Sequence, residues 1–113
     1  MGRLEGYRFG RVLVDGQEHT RDVIVLPGRV VGNWWRRDGH ALVLEDLQDV
    51  IDELPPRLVV GTGQSGRMRP DPGAISRLEA RGIRVDVATT DEAVRLFGEL
   101  DPSEAAAALH LTC

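Results

Sequence analysis

The sequence contains no lysine; all 14 of its basic residues are arginine. That absence removes Schiff-base chemistry and any P-loop phosphate site from consideration. Guanidinium groups suit phosphate and carboxylate recognition. These arginines, however, are scattered, and the abundance of Ala, Gly and Val points to codon usage as their source. Cysteine is almost missing as well, since Cys113 is the only one, so an intrachain disulfide is excluded. No apolar run is long enough to span a bilayer, and no charged-then-apolar leader follows Met1, from which a soluble, cytoplasmic protein without a membrane partner is expected. Nor is there a positive balance: the formal net charge of -4 argues against nucleic acid as a partner.

What is present is ordinary globular material. With 113 residues, 42% hydrophobic and 28% charged, the chain has enough apolar content for one core and reads as a single domain, 1–113. The N-terminal third is β-rich. Val12 and Val14 precede Asp15-Gly16, a pair suited to a two-residue hairpin turn, and Val23 to Leu26 meets Pro27-Gly28, which predicts a type II turn. Three or four short antiparallel strands are therefore expected before the first helix. Leu44, Leu47, Val50, Ile51 and Leu54 then fall at helical spacing, with Pro55-Pro56 as the stop.

The most informative stretch runs from Leu58 to Gly66, an apolar run that ends in Gly61, Thr62, Gly63, Gln64, Ser65 and Gly66. It predicts a buried central strand followed by a tight loop. Asp71-Pro72 is an N-cap followed by proline at the first helical position, Gly82 supplies the stop, and residues 83–87 alternate as a strand. Residues 58–87 thus form a βαβ unit with parallel strands. Thr89 with Glu92 reads as a capping box opening a second helix. The tail is ambiguous in composition, because the alanines after Pro102 suit a helix whereas residues 109–112 suit a strand.

Three readings attach to the glycine loop. Gly61, Gly63 and Gly66 match the dinucleotide fingerprint in spacing, with Asp86 near the ribose-binding distance. Pro70 and Pro72 delay the helix to about Asp71, however, whereas a true dinucleotide site begins its helix at the glycines so that its N-terminal amides meet the pyrophosphate. A bare tight turn is the second reading, and a small anion cradled by loop amides and the Thr62, Gln64 and Ser65 side chains is the third. Arg36, Arg37 and His40 could form the opposite wall of such a pocket. Trp34 and Trp35 make a separate cluster with these arginines. Alternation along an extended segment allows only one of the two to point inward, so the other is free for an interaction surface. His110 and Cys113 could suggest a thiolate–imidazole dyad; if the tail is a strand, residues three apart face opposite ways and cannot meet, whereas a helix would permit it. The three histidines and one cysteine are too dispersed for a metal site, and no cofactor or catalytic constellation is apparent.

Several segments together resemble the Mth938-domain family: Phe9-Gly10, Trp35-Arg36-Arg37 with Gly39-His40, Val60-Gly61-Thr62-Gly63, the helix start from Thr90 to Ala93, and the ending His110-Leu111-Thr112-Cys113. The resemblance covers essentially the whole chain. It implies a three-layer α/β fold with a mixed central sheet and an N-terminal antiparallel β element beside it, and it makes the tail a strand. Eukaryotic relatives are linked to respiratory complex I assembly and to adipogenesis, so the resemblance implies assembly through protein partners and brings no catalytic residues with it. A protein-interaction module is the expected function, with a small-metabolite or anion-binding protein or enzyme built on the glycine loop as the alternative.

Overall fold

The computed structural model describes residues 4–113. Its centre is a five-stranded mixed sheet in the order β5-β4-β10-β7-β9, comprising β4 (Val23–Val25), β5 (Val30–Val31), β7 (Arg57–Thr62), β9 (Arg84–Ala88) and β10 (Ala105–His110). β10 runs parallel to β7 and antiparallel to β4, and β7 runs parallel to β9. A separate antiparallel sheet is formed by β1 (Leu4–Arg8), β2 (Arg11–Val14) and β3 (Gln17–His19). A short parallel pair, β6 (Ala41–Leu42) with β8 (Arg69–Pro70), ties the segment after the tryptophans to the loop beyond β7.

Strand alternation sorts the core into two layers. On one face of the central sheet, Leu58, Val60, Ala106 and Ala108 pack with Leu47, Val50 and Leu78, which come from the helix at Leu44–Glu53 and from α1 (Pro72–Ala80). On the other face, Val59, Ala105, Ala107 and Leu109 pack with Val12 and Val14 of the N-terminal sheet and with Ala93 and Phe97 of α2 (Thr90–Gly98). The result is the expected three-layer arrangement. No helix among the described residues is long and apolar enough to cross a membrane.

The βαβ unit forms as the spacing predicts. Asp71 accepts a bond from the Ala74 amide, Pro72 opens α1, and Gly82 follows its end at φ +84°. The Asp15-Gly16 turn has positive φ at both residues, 52° and 81°, as a primed hairpin turn requires. Four details differ from the sequence reading. The middle strand is the alanine-rich β10, and β7 is its buried neighbour: small side chains let layers close on both faces, so tertiary burial overrides the helical propensity of alanine. The Leu44–Glu53 helix is a 3-10 helix, because Leu44, Leu47 and Val50 are spaced three apart and eclipse onto one face at three residues per turn. Gly28 does not adopt positive φ, so the turn closed by Leu26 and Arg29 is not type II. Thr89 makes no side-chain cap, and Glu92 pairs with Arg95 instead of closing a box.

Candidate functional site

At one end of the sheet, β4 begins at an acid. Asp22 immediately precedes three fully buried valine and isoleucine residues, and its carboxylate gathers the neighbouring chain. Arg36 donates to Asp22 Oδ2 at 2.6 Å, the Leu111 amide donates to Oδ1 at 2.8 Å, and His110 Nδ1 lies 2.9 Å from Oδ2. Arg36 Nη2 also stands 3.0 Å from the same Nδ1, so this ring nitrogen faces one group that only accepts, Asp22, and one that only donates, Arg36. Arg36 also donates to the Gly39 carbonyl at 3.1 Å, and its side chain is only 3% exposed. Burial disfavours the Asp22 carboxylate, but the bonds from His110, the Leu111 amide and Arg36, with the Arg36 charge, prevail and hold its pKa below the usual carboxylate range. Arg36 Nε is buried and finds no partner among the described residues. A donor stranded in this way costs about 1–3 kcal/mol.

This lock fixes the tryptophan segment. Trp34 points inward: its amide donates to the Asp22 carbonyl, its indole donates to the Asp46 carbonyl at 2.9 Å, and the Arg36 guanidinium carbon stands 5.0 Å from its ring centroid. Asp46 also accepts from the Arg37 and Val43 amides, holding the chain beyond. With Trp34 and Arg36 both buried, alternation sends Trp35 outward, where it is 77% exposed. The guanidinium therefore stacks on the inner indole and leaves the outer one bare.

A groove of about 680 Å³ opens beside Trp35, lined by Arg21, Arg37, Asn33 and Thr112, with Trp34, Arg36 and His110 beneath. Phe9 belongs to the same end of the molecule. The amide of its neighbour Gly10 donates to the carbonyl of Leu111, and His110 and Thr112 on either side of Leu111 line the groove. Phe9 and Trp35 are two of the three large exposed apolar side chains among the described residues; the third, Val87, lies on edge strand β9. Thr20 and Thr112 supply the hydroxyls of the groove lining.

The glycine loop lies outside this groove, because the C-terminal residues fill its concave side. Gly63 N donates to Thr90 Oγ1, Gln64 N to Thr112 O, Gly66 N to Gly63 O and Arg67 N to Cys113 O. Gly63 has φ +101°, and a Cβ there would sit 2.3 Å from the Cys113 carbonyl carbon. Thr62 spends its hydroxyl on the Ala88 carbonyl. Gln64 and Ser65 are exposed on the outside of the turn. The tight turn thus serves to receive the tail. Of the residues grouped as one candidate pocket, Arg36 and Arg37 line the groove, whereas Gly61, Gly63, Gly66 and His40 do not; His40 is exposed, and its carbonyl accepts from the Arg69 amide. His110 turns into the groove floor, while Cys113 is exposed at the chain end.

Sequence reasoning missed Asp22 and Thr90. Asp22 carried a signal, as an acid abutting an all-apolar strand. Thr90 carried none: its hydroxyl accepts from Gly63 and donates to His110, partners 27 and 20 residues away.

A family model described as a protein of unknown function, DUF498/DUF598, matches residues 4–110. Among solved structures, the chain is similar to the conserved hypothetical protein PH1505 of Pyrococcus horikoshii OT3, at 31% identity and a TM-score of 0.81, covering 97% of this chain and 98% of that one. It is also similar in fold to the protein MT938, at 23% identity and a TM-score of 0.76 over the full length of both chains. A Mth938-like domain protein of Bordetella pertussis shares the fold at 18% identity and a TM-score of 0.75, with 97% of this chain and 85% of that one covered. A mixed sheet with its N-terminal antiparallel companion, matched end to end by these structures and by the family model, places this chain in the DUF498/DUF598 family of Mth938-like proteins.

Proposed function

We propose that this domain acts by associating with a protein partner through the end of the sheet that carries Trp35 and Phe9. The observation that carries the reading is the bare Trp35 indole on a segment whose neighbours on both sides are buried and bonded. An exposed aromatic on a flexible loop would lose much of its binding energy to ordering. One held in place beforehand does not. Tryptophan and arginine dominate interface hot spots, and Arg21 and Arg37 line the same groove as the Trp35 ring. The Asp22–Arg36–His110 network supports this role from below, as a frame.

The test is capture from the organism's own extract on immobilised protein. Trp35→Ala keeps the wild-type thermal midpoint and loses at least 2 kcal/mol of binding, about 30-fold in affinity, as expected of a hot-spot residue. Trp34→Ala lowers the midpoint because it opens the core. Capture that Trp35→Ala leaves unchanged would contradict the proposal.

A further inference from the structure

Trp35 stands between two grooves of opposite character. The groove of about 680 Å³ has Arg21 and Arg37 at its rim, and its one acid, Asp22, is consumed by Arg36 and His110. A second groove of about 460 Å³ shares Trp35 and Arg37 as its near wall, but its far side carries Glu45 and Asp49. Both of these acids are exposed. Asp46, also in this lining, already accepts from two amides. Arg21, Arg37, Glu45 and Asp49 form no salt bridge among the described residues, although other exposed charges of the chain do, such as Arg29 with Glu53 and Arg95 with Glu92. Arg21, then the ridge of Trp35 and Arg37 that both grooves share, then Glu45 and Asp49 therefore follow one another across a single surface.

That order is self-complementary. A two-fold axis running along the Trp35 ridge brings the two indoles together and sets each basic rim opposite the acidic rim of the other copy. This is the isologous geometry of closed dimers, in which one patch serves both sides. We infer that the partner met by the Trp35 surface is a second copy of this chain, held by paired indoles at the axis and by Arg21 and Arg37 facing Glu45 and Asp49 across it. The inference rests on the proposed association surface and names its occupant. An unrelated partner would need to present both signs of charge in the matching order; a second copy does so by symmetry.

Sedimentation equilibrium from micromolar to millimolar protein tests it, with two charge-reversed variants, Arg21→Glu/Arg37→Glu and Glu45→Arg/Asp49→Arg, whose thermal midpoints confirm folding. Wild type is expected to approach twice the 12.4 kDa chain mass as concentration rises. Each variant alone faces like charge with like charge at both contacts and stays at the chain mass. Their equimolar mixture restores both contacts and returns to twice that mass, and added salt weakens it. Wild type at the chain mass throughout, variants that dimerise as well as wild type, or a mixture that fails to re-associate would each overturn the inference. If wild type is monomeric while capture from extract still depends on Trp35, the association surface stands and only the identity of its occupant falls.

Discussion

Asp22 joins strand, tail and tryptophan segment through one carboxylate. Removing one member of a buried, hydrogen-bonded pair leaves the other charge uncompensated, so Asp22→Asn is expected to cost roughly 3 kcal/mol at neutral pH by chemical denaturation. The pH dependence has a definite sign. A carboxyl whose folded pKa lies below its unfolded value, about 3.9, contributes stability that is complete above that value and is lost as pH falls through the folded pKa. Wild type should therefore lose stability on acidification over this range more steeply than Asp22→Asn does; parallel acid titrations of the two would contradict the role given to the carboxylate. Gly63 works by its lack of a side chain. At φ +101° and with the Cys113 carbonyl carbon 2.3 Å from where a Cβ would lie, Gly63→Ala must displace the tail. The expected signature is a lowered melting temperature together with faster amide exchange at Gln64 and Arg67, the two donors to the tail carbonyls.

At the scale of elements, β10 shows where propensity and packing part company. Its four alanines favour a helix locally, yet all six of its residues are buried between two layers. Ala107→Leu should overpack the face shared with Val59 and Phe97 and cost about 1–3 kcal/mol in a denaturation midpoint. Signals confined to neighbouring residues were legible in the sequence. Asp71 with Pro72 started α1, Asp15-Gly16 turned a hairpin, and the alternation after Gly82 made β9. The pairing of β10 between β4 and β7 was not legible, because its partners lie about 50 and 80 residues away and only burial selects them. The same holds at the site. Alternation alone sent one of two adjacent tryptophans outward, but which one depended on Asp22 and Asp46, more than ten residues distant in opposite directions. The glycine loop is a related case: spacing marked a tight turn, and only the folded tail reveals what the turn accommodates.

Across the whole molecule, the three layers bury most large apolar side chains and leave two of the exposed ones, Phe9 and Trp35, beside the end of β10. The frame that holds Trp35 outward is built from buried charge, and the surface around it carries exposed charges of both signs. Both features fit a domain whose work is done at its surface. The most direct measurement is acrylamide quenching of the Trp34→Phe variant, in which Trp35 is the sole indole. The account predicts strong quenching in dilute protein, approaching that of a free indole, and marked shielding once the protein is concentrated or bound to whatever it captures. Quenching that is weak in dilute solution, or that stays equally strong in the associated state, would contradict it.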